Sequence, residues 1–310
     1  MQHQYGLDSL QLKNTWLTIG SFDGVHRGHQ EIVRRLSTEA HAVGAQAVVL
    51  TFHPHPKKVL GIKKDFYYLT SPDERAVLLG EFGADLVVTY PFDLQVAGTS
   101  ARDFVREIHA GLGFTHLLVG PDFALGRKRE GDIPTLRRLG GELGFEVETF
   151  GPIKVDDLQV SSSQIRALLD AGDVEEVNFL LKRPYTVSGP VVPGDGRGRT
   201  IGIPTANLKV WEEKQLPKSG VYVCRALLDG QAWGAVTNIG VRPTFDHRTM
   251  AIQVEAHLLD YYDDLYGREL NLQFIHRLRD EQRFSGPQAL VTQIHLDIER
   301  ARLMLAEKSS

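Results

Sequence analysis

The stretch Thr18-Ile19-Gly20-Ser21-Phe22-Asp23-Gly24-Val25-His26-Arg27-Gly28-His29-Gln30 constrains this chain more than any other. A short apolar run, Trp16 to Ile19, precedes it, and Glu31-Ile32-Val33-Arg34-Arg35-Leu36 follows with helical spacing. Strand, glycine-rich turn and helix, in that order, aim backbone N–H groups and the positive end of a helix dipole at an anion. Gly20, Gly24 and Gly28 let a phosphate approach the main chain. His26 and His29, three apart at the helix start, can face one pocket. Neither Cys nor Lys lies in the stretch, so it predicts phosphate gripping rather than covalent catalysis. The plain alternative is an ordinary strand-to-helix turn with solvated histidines.

The first 150 or so residues alternate between buried strands and helices. Ala47 to Leu50, Leu86 to Val88 and Leu117 to Val119 read as strands. Ser71-Pro72-Asp73-Glu74 and Ser100-Ala101-Arg102-Asp103 open helices with N-caps. This pattern predicts a doubly wound, Rossmann-like α/β domain with ligands at the carboxyl ends of its strands. From about Tyr185 strands follow one another: Tyr185 to Val187, Gly220 to Leu228, Ala232 to Asn238, Ala251 to Leu259 and Glu269 to Ile275. They predict a small antiparallel β-barrel, closed by a C-terminal helix from about Pro287 to Glu307. The helix's apolar positions are read as Leu290, Ile294, Ile298, Leu303 and Leu305. The expected domains are residues 1–183 and 184–310, divided after a helical segment Val174 to Leu181. A net charge of −4 argues against a broad nucleic-acid-binding surface. The one cysteine, Cys224, excludes an intrachain disulfide and a cysteine-built zinc site, and reads as a small core residue. A polar N-terminus and no apolar run of membrane length lead to the expectation of a cytoplasmic enzyme.

Further clusters carry chemistry. In Phe52-His53-Pro54-His55-Pro56 the prolines end a strand, and His53 and His55 share a face of an extended chain. With His26 and His29 they leave open a four-histidine metal site, or a rigid turn with solvated histidines. Asp122, in Val119-Gly120-Pro121-Asp122-Phe123-Ala124-Leu125-Gly126, either bonds a ribose or base, or caps its own turn. The basic run Arg127-Lys128-Arg129 that follows reads as a solvated face. Ser161, Ser162 and Ser163 start a helix with Arg166 one turn on, which is either a second anion site or a plain cap.

In the second half, the alternating glycines of Gly194-Asp195-Gly196-Arg197-Gly198-Arg199 suit an anion nest. Thr205 and Asn207, two apart on a strand, present hard oxygens to one side, a donor set suited to Mg²⁺. No G-K-[ST] ends the glycine run, so it is not a Walker A loop. Glu255 lies on a strand with Gln253 and His257 on its face, opposite the apolar set Ile252, Val254, Ala256 and Leu258.

These motifs together resemble one family. H-x-G-H after a first strand resembles nucleotidyltransferases that release pyrophosphate. The fuller string G-x-F-D-G-V-H-x-G-H, followed by Thr51-Phe52-His53-Pro54-His55-Pro56, resembles the prokaryotic FAD synthetases, which are bifunctional riboflavin kinases and FMN adenylyltransferases. The string around Gly194 to Asn207 resembles the flavokinase signature G-R-x-x-G-x-P-T-A-N, and the resemblance covers nearly the whole chain. It implies ATP, riboflavin and FMN as substrates, FAD as product and Mg²⁺ as cofactor, with no nucleic acid, membrane or obligatory protein partner. It implies ATP and phosphate contacts from Gly20, Phe22, Gly24, His26, His29, Ser161, Ser162, Ser163, Arg166, Gly194, Gly196, Arg197 and Gly198. It implies flavin contacts from Phe52, Pro56, Asp122, Arg279 and Arg283, metal ligation by Thr205 and Asn207, and catalysis by Glu255, His29 and Arg166. Asn238-Ile239-Gly240 with Pro243-Thr244-Phe245 and Leu278 to Phe284 also match family strings, the first as barrel architecture and the second as a flavin-contacting flap. The chain departs from the pattern at Ser21, His53, Leu125 and Ser163, and His53 is given no role.

Rival readings are a nucleotidyltransferase for another acceptor with a regulatory barrel, and a non-catalytic flavin-delivery protein.

Overall fold

The computed structural model describes every residue except 64, 152–153, 156–157, 195–197, 199–201, 244–249 and 308–310. Contacts divide the chain into two compact units, Met1–Ser162 and Ser163–Ser310.

The first unit is built on a six-stranded parallel sheet. Its strands are β1 (Gln2–Tyr5), β2 (Thr15–Ile19), β3 (Gln46–His53), β4 (Leu86–Pro91), β5 (Phe114–Val119) and β6 (Glu146–Thr149), in the order β1-β4-β3-β2-β5-β6. Strand neighbours run sequentially to one side of β2 and then to the other. The chain therefore reverses its winding at β2, the place where such sheets open a ligand crevice. Every residue of β2 is buried, and alternate side chains feed opposite faces. Leu17, Val48, Leu50 and Val88 pack under α5 (Ala101–Leu112) and α6 (Ile133–Leu143). Trp16, Ala47, Val49 and Val87 pack under α1 (Arg27–Ala42) and α3 (Pro72–Glu81). Between the short helices α2 (Pro56–Val59) and α4 (Leu94–Gly98), α3 begins with a full capping box, Ser71 with Glu74, and with Pro72 in its first turn. The predicted α/β domain is present. Four strands escaped the sequence reading: β1 and β6, because both edges are polar and lack an apolar run, and the two-residue strands β7 (Lys154–Val155) and β8 (Leu158–Gln159), which pair with each other and are too short to show a pattern.

The second unit holds a closed barrel. Strands β9 (Tyr185–Val192), β10 (Ala206–Leu208), β11 (Gly220–Leu228), β12 (Gln231–Pro243), β13 (Met250–Leu258) and β14 (Glu269–Arg279) pair antiparallel in the order β10-β13-β12-β11-β14-β9. Tyr222, Cys224, Ala226, Ala256, Leu272 and Phe274 are buried in the unit. Burial pushes the Cys224 thiol up to about 12, which keeps it protonated and inert. Helices α7 (Ser162–Ala171) and α8 (Val174–Leu181) lead into the barrel, and α8 packs on β9 and β14. The last helix, α9 (Pro287–Glu307), lies on a patch made by Val221, Val223, Val236 and Leu259. Ile298, Ala301, Met304 and Leu305 face that patch. Leu303, expected on the apolar side, is exposed, because the stripe drifts onto Met304 at helical spacing. Ile252 is likewise exposed, while Val254, Ala256 and Leu258 are buried as expected.

Candidate functional site

Both units contain cavities lined by their own residues. In the first, β2 runs into the loop Gly20 to His26, whose backbone turns left-handed at Phe22 (φ 46°), Gly24 (φ 81°) and Val25 (φ 39°). A Cβ at Gly24 would lie 2.6 Å from Leu69 Cδ1, so space and φ both demand glycine there. His26 is the N-cap of α1. Its Nδ1 accepts the His29 N–H at 3.4 Å. The two imidazoles stack 3.6 Å apart at 19°, and the Phe22 ring meets His29 edge-on at 5.1 Å. The two histidines, three apart in sequence, thus lie side by side at the helix start.

Asp23, which carried no assigned role, is buried under this loop and receives the Leu69 and Thr70 N–H groups at 3.1 Å. Ser162 Oγ donates to the Asp23 carbonyl at 2.8 Å, so this hydroxyl braces the loop. Ser161 and Ser163 are exposed. Arg166, one turn into α7, is buried and belongs to the second unit.

Beside the loop, at the carboxyl ends of β2 and β3, lies a cavity of about 570 Å³. Its apolar walls include Ile19, Phe52, Phe104, Phe123 and Leu125, and Pro56 and His55 also line it. Among the described residues four cationic side chains line it, Lys57, Arg127, Lys128 and Arg129, and no carboxylate does. The basic run is exposed, as a solvated face would be, and also stands at a cavity wall. It is held there by Arg129 Nη2 donating to the Asp122 carbonyl at 2.8 Å and by left-handed backbone at Lys128 and Arg129. Asp122 itself is exposed and is not among the lining residues. His55 caps the short helix Pro56–Val59, its Nδ1 accepting the Lys57 N–H at 3.0 Å, and rests on Phe66. Among the described residues no cluster of three or more His, Cys, Asp or Glu side chains has metal-holding geometry, so the four histidines do not converge on an ion.

The second cavity, about 370 Å³, lies where the barrel meets α9 and the segment after β14. It brings together Gly198, Thr205, Glu255 and Arg279 of the expected residues, with Asn238, His257, Glu281, Phe284 and Asp297. Its chemistry follows from strand register. Glu255 pairs with Asn207 on one side and Asn238 on the other, Asn238 pairs with Val221, and Val221 with Arg279. Directly opposed residues share a face, so this row crosses β10, β13, β12, β11 and β14 outside the barrel. Gly194 stands against the Asn207 amide. Gly198 packs so close to the Ile203 carbonyl that no Cβ fits. Gly196 and Arg197, and likewise Arg199, Thr244 and Phe245, lie outside the described residues.

Arg279 is committed. Its guanidinium grips Asp297 of α9, Nη2 to Oδ2 at 2.7 Å and Nε to Oδ1 at 3.1 Å, and Phe284 lies 5.8 Å over it. Asp297 is 1% exposed and also receives Gln293 Nε2 at 2.9 Å. A charged pair so enclosed fixes geometry more than it adds stability. Arg283 is exposed and not among the lining residues. His257 Nδ1 donates to the Pro204 carbonyl at 2.8 Å, which leaves Nε2 as its acceptor. Asp260 is held below the usual carboxylate range by Arg302, which bonds both its oxygens at 2.7 Å, and it is absent from the cavity lining. Asn238 and Asp297 were missed in the sequence. Asn238 sits within a recognised string, but only strand register brings it opposite Glu255.

Two family models match the chain: one described as FAD synthetase over residues 8–164, and one as riboflavin kinase over residues 181–305. A bifunctional riboflavin kinase/FMN adenylyltransferase of Pseudomonas fluorescens is 41% identical over 93% of this chain and 92% of its own length. The proteins of that name from Listeria monocytogenes and Escherichia coli K12 are 34% and 37% identical. They cover 99% and 92% of this chain and 98% and 91% of their own. A crystal structure described as a macrolide-efflux protein from Streptococcus pneumoniae superposes with a TM-score of 0.88 at 29% identity, over 97% of this chain and 99% of that one. Among the described residues no helix is long and apolar enough to cross a membrane.

Proposed function

The chain belongs to the family of bacterial bifunctional riboflavin kinase/FMN adenylyltransferases, and on that premise we propose how its residues divide the two reactions. ATP phosphorylates riboflavin to FMN. A second ATP then adenylylates FMN to FAD, releasing pyrophosphate. The observation that carries the division is that expected residues line a cavity in each unit, Phe52 and Pro56 in the first and Gly198, Thr205 and Glu255 in the second.

In the barrel, Glu255 takes the proton of the ribityl hydroxyl as that oxygen attacks the γ-phosphorus and ADP departs. Asn238 and Asn207 flank the carboxylate in the register row and hold polar groups beside it. Thr205 and Asn207 fit Mg²⁺ by donor chemistry. They are neutral hard oxygens with one carboxylate in register beside them, which suits an ion that keeps waters and shares substrate phosphates. When bound, Mg²⁺ would neutralise phosphate charge. The motif assigns phosphate contacts to Gly194, Gly196, Arg197 and Gly198. Arg279 shapes the cavity wall through Asp297, and Arg283 contacts flavin from the flap.

In the α/β unit a phosphate oxygen of FMN attacks the α-phosphorus and pyrophosphate leaves, without a covalent intermediate. Positioning and electrostatic stabilisation carry this step. Gly20, Phe22, Gly24 and His26 shape the nucleotide site, and His29 faces the transferring phosphorus. The motif alone assigns Arg166 to neutralising triphosphate charge, and Ser161 and Ser163 to hydrogen-bonding phosphate oxygens. Flavin lies in the 570 Å³ cavity against Phe52 and Pro56, with Asp122 near its rim, and the four cations suit a phosphorylated acceptor. The enzyme works in the cytoplasm on small molecules, with no nucleic acid, membrane or obligatory protein partner.

The test is a chromatographic time course from riboflavin, ATP and Mg²⁺. FMN rising and then yielding to FAD is expected. FAD from supplied FMN but no FMN from riboflavin would make the barrel regulatory. Bound flavin with no product would favour a delivery protein.

A further inference from the structure

A left-handed run through Phe22, Gly24 and Val25 does not hold itself. Non-glycine residues with positive φ are uncommon, and a β-branched residue such as Val25 is an outlier that persists only when its surroundings over-determine it. Here the surroundings are a buried ion pair and its hydrogen bonds. Asp23 is 1% exposed. It accepts the Leu69 N–H at 3.1 Å on each oxygen, the Thr70 N–H at 3.1 Å and the Thr70 hydroxyl at 3.2 Å. The same hydroxyl oxygen accepts the Gly24 N–H at 3.1 Å. Arg75, on α3 and 0% exposed, stands 3.9 Å from Asp23.

Arg75 also reaches the flavin side. Its Nη1 donates to Thr51 Oγ1 at 2.9 Å and to the Phe52 carbonyl at 3.2 Å, and its Nη2 to the Thr70 carbonyl at 3.4 Å. Thr51 Oγ1 in turn donates to the Ser21 carbonyl at 2.9 Å. Ser21 and Phe52 line the cavity assigned to flavin, and Asp23 lies in the loop that delivers His26. One buried guanidinium therefore ties the wall of the acceptor cavity to the nucleotide loop.

We infer that the Asp23–Arg75 pair is the positioning device of the adenylyl transfer: it sets the register between the flavin wall and the phosphate-gripping loop. The inference rests on the two-cavity reading above. Neither residue touches a reacting atom. They act through Ser21, Phe52 and His26. An attacking oxygen and an electrophilic phosphorus must meet in line, and a misplacement of about 1 Å costs roughly 10²-fold in rate. Substrate affinity, which comes from walls and charges that remain, changes much less.

The experiment uses the full-length protein, whose kinase reaction is an internal control in the other unit. Arg75→Met, Asp23→Asn, Arg75→Lys and Thr51→Val are assayed for FAD from FMN and for FMN from riboflavin. A melt fixes the folded fraction at the assay temperature, so that rates are expressed per folded molecule. Arg75→Met and Asp23→Asn are expected to lower kcat for FAD by about 10- to 100-fold, with KM for ATP and FMN within about threefold and FMN formation unchanged. Arg75→Lys, with one ammonium for several acceptors, should recover part of the loss. A merely structural role would lower the folded fraction and leave the rate per folded molecule intact. If Arg75→Met and Asp23→Asn do not fold, Thr51→Val carries the test. It exchanges one hydroxyl for a methyl and should cost about 5- to 10-fold in kcat. Wild-type kcat in any folded Arg75→Met, Asp23→Asn or Thr51→Val variant overturns the inference. Wild-type protein that makes no FAD from FMN would instead overturn the two-cavity reading.

Discussion

Glu255 stands directly opposite Asn207 in the neighbouring strand, on the outer face of the barrel. Strands β10 and β13 thus place the proposed base and a proposed metal ligand side by side, although 48 residues, 255 less 207, separate them in sequence. Side-chain pairs in register hold their geometry through the ladder itself, so little entropy is lost when substrate arrives.

Glu255→Gln is expected to reduce FMN formation by about 10² to 10⁴ while leaving FAD synthesis from supplied FMN intact. Gln keeps the size and much of the hydrogen bonding, so a thermal melt should be nearly unchanged. Asp260→Asn is the contrast. That carboxylate serves Arg302 outside the cavity, and its loss should leave kinase kcat within about twofold, as exposed ion pairs contribute little. Near-normal turnover by Glu255→Gln would transfer the role to His257, whose Nε2 is its available acceptor.

Thr205→Ala combined with Asn207→Ala should fail by a different route. Removing two neutral oxygens weakens Mg²⁺–nucleotide binding, so raised Mg²⁺ should restore part of the FMN-forming rate. Glu255→Gln should not respond, because a cation cannot replace a proton acceptor. Kinase rate against Mg²⁺ concentration separates the two, and identical flat responses would remove Thr205 and Asn207 from the metal site.

Much of this was legible in the sequence where the signal is local. The loop from Gly20 to His29 declares itself by residue types within one strand-turn-helix unit, and so does the Gly194 to Asn207 string. The central strands show as apolar runs because a parallel sheet is covered on both faces. Asp23 was visible as a letter but not as a buried anchor. Its partners Leu69, Thr70 and Arg75 are some 50 residues away, and only the packing of α3 on the sheet delivers them. The Arg279–Asp297 grip is hidden for the same reason. His55 looked like a ligand or a solvated ring, yet capping claims its Nδ1. Polar edge strands such as β1 carry no apolar pattern to read.

Strand β1 should loosen in acid. Burial lowers the pKa of His3 below its ordinary 6.5, and Asp73, 3.2 Å away, opposes that shift only in part. Below 6.5 the unfolded chain then binds more protons than the folded one, so stability falls as pH drops from 6.5 toward the folded pKa. Protection factors for the Gln2–Tyr5 amides should therefore decrease between about pH 7.5 and about pH 5.5, and His3→Gln should flatten the dependence. Equal protection at both values in the wild type would remove His3 as the cause.

The kinase unit should need more than its barrel. Asn178 of α8 bridges the first and last paired strands, its Oδ1 accepting the Tyr185 N–H at 2.7 Å and its Nδ2 donating to the Phe274 carbonyl at 2.8 Å. Glu175 meets His276 at 2.8 Å, Leu169 of α7 accepts the Lys218 N–H at 2.8 Å, and Asp170 accepts Gln215 Nε2 at 2.8 Å. Val174, Val177, Leu180 and Leu181 are buried along α8. Cutting at residue 184 uncovers apolar surface worth roughly 1.5–3 kcal/mol per buried side chain and breaks bonds worth about 1 kcal/mol each. Part of that loss is recovered as the fragment relaxes, and a remainder of a few kcal/mol lowers a melting midpoint by more than about 10 °C in a domain of this size. Residues 163–310 should therefore make FMN, and no FAD, with a stable melt. Residues 184–310 should make FMN only at low temperature and melt well below the longer fragment. Coincident melts would show that α7 and α8 contribute nothing to the barrel and would move the functional boundary back to Arg183.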